Sequence, residues 1–262
     1  MEKLVIIPTY NEKDNVGNII AAIFALRQDH HILIIDDGSP DGTATIVKSL
    51  FKNYPHQLFL EERTGKLGLG TAYIHGFRWA LNKGYKYIFE MDADFSHNPS
   101  DLENLYASCK NGADLAIGSR YVNGGAIANW PTNRIALSKG ASLYTRIITG
   151  MPVMDPTAGF VCYTKEVLET INLSGIHFVG YAFQIEMKFA AWKLGFKIAE
   201  VPITFIDRQL GDSKMNKGIV KEGILGVLKL RWMSIFKNYR NKVKNNYPQD
   251  AISSYSQPEV LL

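Results

Sequence analysis

From residue 3 to residue 120, short apolar runs alternate with segments of helical period, and this alternation constrains the fold more than any other feature of the chain. KLVIIPT reads as a first strand, and residues 11–26 carry Ile19, Ile20, Ile23 and Phe24 on one side of a helix. HILIIDD is a second strand, after which Asp41, Gly42 and Thr43 open a helix running through Ile46, Val47 and Leu50. HQLFLEE is a third strand, the glycine-rich turn KLGLG starts a helix ending near Asn82, and YKYIFEMD is a fourth strand. Pro99, Ser100 and Asp101 begin the next helix in the manner of an N-cap, and DLAIGSR is a fifth strand. Strands that each hand over to a helix lie parallel, because a parallel neighbour is reached only through a crossover. The expected fold class is α/β, with a mostly parallel, doubly wound sheet.

In such sheets ligands gather at the carboxyl ends of the strands. The polar clusters of this chain fall at those ends: PTYNE after the first strand, DDGSPDGT after the second and DAD after the fourth. One shared edge implies one crevice. The second half is less regular. GFVCYT and EVPITFIDR read as strands, and residues 131–149 and 180–195 as helices. Over 217–239 a long helix is expected, with Ile224, Leu225, Leu228, Trp232, Ile235 and Phe236 on one stripe and Lys229 and Lys237 away from it. The tail from residue 245 lacks periodicity and reads as disordered. The expected organisation is a catalytic domain at 1–212, a basic amphipathic helical segment at 213–244, and the tail at 245–262.

Asp92 and Asp94 end the fourth strand one residue apart, with Glu90 close by. Like charges held together must be solvated, protonated or neutralised by a cation. With no histidine at metal-ligand spacing, a pair of hard oxygen ligands suits Mg2+ or Mn2+ bound together with a diphosphate substrate. A solvated turn after a strand is the plainer alternative. Other phosphate-binding signatures are missing: GLGTAY lacks the full G-x-G-x-x-G spacing, and there is no P-loop motif.

The formal net charge of +4 hides an asymmetry. Residues 214–244 hold nine Lys or Arg against Glu222 alone, which is +8 and leaves −4 for the remainder. Such a segment suits anionic lipid, a solvated face or nucleic acid. Its aromatics fall on an apolar stripe instead of among the charges, which speaks against nucleic acid. Cys109 and Cys162 form no metal or disulfide framework, so a reducing compartment is expected. The N-terminus has no signal-peptide layout and no apolar run is long enough to span a bilayer, so a soluble or peripheral chain is expected.

PTYNE at 8–12, DDGSPDGT at 36–43, DADFSHNP at 92–99, GSRY at 118–121 and FIDRQLGDSK near the end occur in one order. In that order they resemble the glycosyltransferase family 2 enzymes of the GT-A fold, in particular polyprenol or dolichol phosphate mannosyltransferases. The resemblance covers the chain to about residue 240. It implies transfer of a hexose, usually from GDP-mannose, to the phosphate of a membrane polyprenol, with inversion at the anomeric carbon. By motif match, Pro8, Tyr10, Glu12, Ile35 and Asp37 are expected to hold the nucleotide, with Asp37 near the ribose or base. Asp92, Ala93 and Asp94 are expected to meet the diphosphate and its metal. Ser96 stands where the family often has Gln and is expected as a further metal ligand, directly or through water. Arg208 and Lys214, in the R-x-x-G-x-S-K match, are expected on the donor phosphates or a closing loop. The acceptor phosphate is expected at Arg120, Arg134 and Ser138. Work on a bilayer-held acceptor implies peripheral membrane association on the cytoplasmic side, and the resemblance leaves room for a membrane partner subunit.

The chemistry agrees with that expectation. A departing nucleoside diphosphate gains charge, so a dication and fixed Arg or Lys donors favour the transition state over the ground state. The acceptor phosphate monoester has a second pKa of about 6 and is already an anionic nucleophile. A general base is dispensable, and positioning by the bidentate forks of Arg120 and Arg134 takes its place. Plainer alternatives stand beside these roles: Asp36 as a turn brace, Glu12 as an acid at a helix start, the two arginines in surface ion pairs. Gln184 and Glu186 are read either as orienting the site or as capping the core edge. Transfer of glucose from UDP-glucose to the same acceptor class, and a non-catalytic nucleotide-sugar sensor, are the competing functions.

Overall fold

The structure is a computed structural model that describes residues 1–26, 29–180, 182–207 and 217–242, with the backbone alone over 217–222. The expected positions Arg208 and Lys214 and the tail from residue 245 lie outside the described residues.

The first half follows the expected alternation: β1 (Lys3–Thr9), α1 (Lys13–Phe24), β2 (His31–Asp36), α2 (Thr43–Leu50), β3 (Leu58–Glu62), α3 (Leu69–Lys83), β4 (Tyr87–Glu90), α4 (Asp101–Lys110) and β5 (Leu115–Ser119). The second half adds β6 (Ala126–Ala128), α5 (Thr132–Thr149), β7 (Val161–Thr164), α6 (Lys165–Thr170), α7 (Ala182–Lys193), β8 (Ile198–Pro202), β9 (Thr204–Ile206) and α8 (Lys217–Met233). Seven strands form one sheet in the order β3-β2-β1-β4-β7-β5-β8. All neighbours are parallel except β7, which runs antiparallel to both β4 and β5.

The apolar runs are continuous because both sheet faces are covered. Leu4, Ile6, Leu33 and Ile35 join one core with α3 and α7, while Val5, Ile7, Ile32 and Ile34 join the other with α1 and α4. Gly70 and Gly76 of α3 serve this packing. A Cβ on Gly70 would stand 2.7 Å from the Phe183 ring, and one on Gly76 would stand 2.8 Å from Ile6. These approaches bring α3 down onto β1 and α7.

Two expected elements differ. EVPITFIDR, expected as one strand, divides at Ile203. Pro202 ends β8 without an N–H to continue the ladder, and Ile203 donates to Ser119 O at 3.1 Å while accepting from the Ala126 N–H at 2.9 Å. Beyond it β9 leaves the main sheet to pair with β6. The long helix ends at Met233, not 239, and it packs on α5 and α7 through Val227 and Leu230. The stripe expected from its period is its outer face, with Trp232 65% and, just past the helix end, Phe236 79% exposed.

Candidate active site

The carboxyl ends of β1, β2 and β4 open on a pocket of about 350 Å3. Pro8, Thr9, Tyr10 and Glu12 form the wall at the end of β1, and Asp37 the wall after β2. The adjacent aspartates at the end of β2 divide their roles. Asp36 accepts from Thr9 Oγ1 at 3.0 Å and from Ser39 N and Oγ at 2.9 and 2.6 Å, bracing the turn. Asp37 faces the pocket and accepts from Arg63 Nε at 2.6 Å, while Arg63 Nη1 donates to Thr71 Oγ1 at 2.9 Å. Glu12 Oε2 accepts from Asn15 Nδ2 at 2.9 Å. Ile35 is fully buried in the core, so its side chain forms no part of the wall. Lys66 joins the pocket from the KLGLG turn, its Nζ 5.0 Å from the Tyr10 ring centre.

After β4 the chain makes a tight turn that keeps Phe95 at φ +60°, a strained conformation for a large side chain. Asp92, Ala93 and Asp94 line the pocket. Ser96 donates to Asp94 Oδ1 from both its backbone N, at 3.0 Å, and its hydroxyl, at 2.6 Å. Ser96 is buried behind Asp94 and off the pocket wall, where it orients that carboxylate; it was expected as a metal ligand, directly or through water. The Asp92 N–H points to His97 Nδ1 at 3.4 Å, and the His97 ring stacks on Phe160 with centres 4.8 Å apart. Burial pushes the His97 pKa down to about 4, against the opposing pull of Asp94. Below the turn, burial raises the Glu90 carboxyl and lowers the Lys188 ammonium, and each charge partly offsets the shift of the other.

The opposite wall comes from the antiparallel strand. Because β7 is reversed, the residues that precede it, Thr157, Ala158 and Gly159, lie at the edge where β4 and β5 end. Arg120 fixes this segment, its Nε and Nη2 each 2.7 Å from the Asp155 carboxylate and its Nη2 2.9 Å from Thr157 Oγ1. Glu200 accepts from the Met154 and Asp155 N–H groups at 2.7 and 2.9 Å. Lys188 Nζ donates to Ala158 O at 2.7 Å from below. Arg120 thus lines the pocket with its Nε and Nη2 engaged by its own chain.

Arg134 leaves the first turn of α5 to pair with Asp207 at 3.0 Å and to cover the Trp130 ring at 3.8 Å. Trp130, Arg134 and Thr157 also line a second, apolar cavity of about 480 Å3 between α5 and α8, with Leu137, Tyr144, Ile185 and Val227. Ser138 belongs to this second cavity and accepts from the Tyr121 hydroxyl at 2.6 Å, so it stands apart from the polar pocket.

One pocket therefore gathers Pro8, Tyr10, Glu12, Asp37, Asp92, Ala93, Asp94, Arg120 and Arg134. Sequence reasoning passed over Lys66, Trp130, Thr157, Gly159 and a lining role for His97. The only signal for the 155–159 segment was its turn-forming composition, DPTAG, just ahead of a strand. Among the described residues no three His, Cys, Asp or Glu side chains come together as a metal cage. Two carboxylates on one wall, one of them braced, still fit Mg2+ or Mn2+, ions that take one or two carboxylates and complete their shell with water and substrate phosphate.

The family model described as Glycosyl transferase family 2 matches residues 4–171. The chain is 47% identical over 224 residues to polyprenol monophosphomannose synthase of Mycolicibacterium smegmatis, covering 86% of this chain and 84% of that protein. Glucosyl-3-phosphoglycerate synthase from Mycobacterium tuberculosis, solved with Mn2+, UDP-glucose and glycerol 3-phosphate, superposes with a TM-score of 0.63 at 18% identity. That likeness covers 88% of this chain and 79% of the other. A mannosyltransferase from Pyrobaculum calidifontis, solved with GDP-Man and Mn2+, gives 0.51 at 16% identity, covering 88% and 73%. The sheet order and these likenesses show the GT-A fold.

Proposed function

The chain belongs to glycosyl transferase family 2, and from that membership we propose that it transfers mannose from GDP-mannose to a polyprenyl phosphate with inversion. The observation that carries this reading is the meeting of two unlike cavities at Trp130, Arg134 and Thr157. One carries charged side chains of both signs, with Lys66 and Asp37 as well as the Asp92 and Asp94 carboxylates, which suits a sugar nucleotide. The other is lined by Leu137, Tyr144, Ile185 and Val227, which suits an isoprenoid chain whose phosphate reaches Arg134.

In the reaction an acceptor phosphate oxygen forms a bond to the anomeric carbon. The bond from that carbon to the donor's β-phosphate oxygen breaks, and its electron pair leaves with GDP. Asp92 and Asp94 would hold Mg2+ or Mn2+, which when bound offsets the charge that the diphosphate gains. Asp37 and Tyr10 bind the nucleoside end, and Lys66 supplies a cation to the diphosphate. Arg134, stacked on Trp130, orients the acceptor phosphate, with Arg120 held beside it by Asp155. Arg208 and Lys214 are proposed to complete the donor-phosphate contacts.

Residues 1–212 act as the catalytic unit and 213–244 as the lipid-facing segment. Among the described residues no helix is long and apolar enough to cross a membrane. The outward apolar stripe of α8 and the basic charge of its region suit the surface of an anionic leaflet. The chain then works peripherally on the cytoplasmic side, alone or with a membrane partner subunit.

Purified protein is incubated with undecaprenyl phosphate, Mg2+ or Mn2+, and labelled GDP-mannose or UDP-glucose, and lipid-extractable label is counted. GDP-mannose is expected to give the lipid product. Preference for UDP-glucose rejects the mannose assignment, and donor binding without transfer to any polyprenyl phosphate rejects catalysis.

A further inference from the structure

Gln184 lies on α7 beneath the pocket, 3% exposed, and it lines the pocket wall. Lys188, one turn later on the same helix face, donates to its Oε1 at 3.0 Å. An ammonium has donors only, so the amide oxygen must face Lys188 and the Nε2 group must turn the other way. There Nε2 is buried and makes no hydrogen bond. The Glu90 carboxyl engages the amide weakly and off-line from one side, and an NH2 group has a second N–H to direct elsewhere.

Gly159 shows what this amide faces. A Cβ built there would stand 3.9 Å from each of Gln184 Nε2, Asp92 Oδ2 and His97 Cε1. The missing side chain leaves a hollow flanked by a group that only donates and a group that only accepts. A phosphate oxygen could accept from the amide but has no proton to give the Asp92 oxygen, and a cation gains nothing from an amide N–H. A hydroxyl satisfies both, since it accepts from one and donates to the other.

We propose that Gln184 Nε2 and Asp92 Oδ2, across the hollow at Gly159, bind a hydroxyl of the donor's sugar and so help choose the hexose. This rests on the donor being a sugar nucleotide. Lys188 is a positioning residue, since it sets the direction of the amide. The hollow also explains a glycine at 159, where no positive φ requires one.

The test measures binding of GDP and of GDP-mannose, each with Mn2+, by titration calorimetry on the full chain. In the parent protein GDP-mannose is expected to bind more tightly than GDP. Gln184→Met removes the donor at similar length, and Gly159→Ala fills the hollow with a methyl group at ordinary contact distance. Both variants should keep the parent's affinity for GDP and lose roughly three- to tenfold in affinity for GDP-mannose, the worth of a neutral hydrogen bond. Of the monodeoxy GDP-mannoses, one should bind the parent more weakly and the Gln184→Met variant no more weakly than GDP-mannose does. The proposal is overturned if both variants keep the sugar's contribution, if they lose GDP and GDP-mannose equally, or if every deoxy penalty survives Gln184→Met. If GDP itself does not bind, the GDP-mannose reading has failed, and the same comparison with UDP and UDP-glucose decides the subsite on its own.

Discussion

Asp155→Asn tests how the pocket wall is held. Asp155 is fully buried and its partner Arg120 has a side chain 5% exposed. The carboxylate accepts from Arg120 Nε and Nη2 at 2.7 Å each, from the Arg120 backbone N–H at 3.1 Å and from Thr157 Oγ1 at 3.2 Å. Asparagine keeps the shape, removes the charge and turns a donor toward the guanidinium. Breaking a buried pair from one side costs about 3–5 kcal/mol, because the remaining charge is left without compensation. In a chain of this size each kcal/mol lowers Tm by about 2–4 °C, so a fall of roughly 6–20 °C is expected by calorimetry or circular dichroism. The double variant Arg120→Met, Asp155→Leu removes both charges and should recover most of that loss, while transfer to polyprenyl phosphate stays low. An Asp155→Asn variant melting within about 2 °C of the parent, less than 1 kcal/mol predicts, would refute the assignment of this pair as the anchor of the 155–159 wall.

Chelation should abolish transfer and added Mn2+ or Mg2+ restore it, with Asp94→Ala unrescued at any metal concentration; turnover indifferent to chelator would sink the two-carboxylate site. Phe236→Asp with Trp232→Ser should weaken co-sedimentation with anionic vesicles and leave GDP binding intact, whereas unchanged sedimentation means another surface meets lipid. Burial lowers the pKa of His31, which lies 2.6 Å from the Tyr85 hydroxyl. Its folded value is below the unfolded value near 6.5, so the unfolded chain binds the proton first, and this contribution is complete above about pH 6.5 and lost as pH falls below it. Denaturant titrations of His31→Gln at pH 5.5 and 7.5 should show a smaller loss on acidification than the parent shows; an equal loss removes His31 from the account. Gly70→Ala should destabilise by about 1–3 kcal/mol through overpacking on Phe183, which thermal melts would register.

Local chemistry made the first five strands legible in the chain. Continuous apolar runs fit a sheet covered on both faces, and turn-forming residues with carboxylates at the run ends could only collect at one edge. Asp92, Asp94, Asp37 and Glu12 were therefore identifiable, since each sits within a few residues of its own strand end. Asp36 and Asp37 were separable because alternate residues face opposite ways. The apolar stripe of α8 was also visible, but periodicity tells only that a face is apolar, and this helix has a second inward face at Val227 and Leu230.

The far wall needed three dimensions. Strand β7 runs opposite to its neighbours, so its beginning, not its end, meets the carboxyl ends of β4 and β5. Nothing in the run GFVCYT signals that reversal, because direction is a property of pairing between segments distant in the chain. The reversal brings Thr157 and Gly159 to the pocket, seats Asp155 against Arg120, and sets Ala158 O on the Lys188 ammonium that also holds Gln184. Residue types and their spacing determined which end of the sheet would carry the pocket; strand direction and long-range ion pairing decided what closes it, since those energies exist only once the chain has folded back on itself.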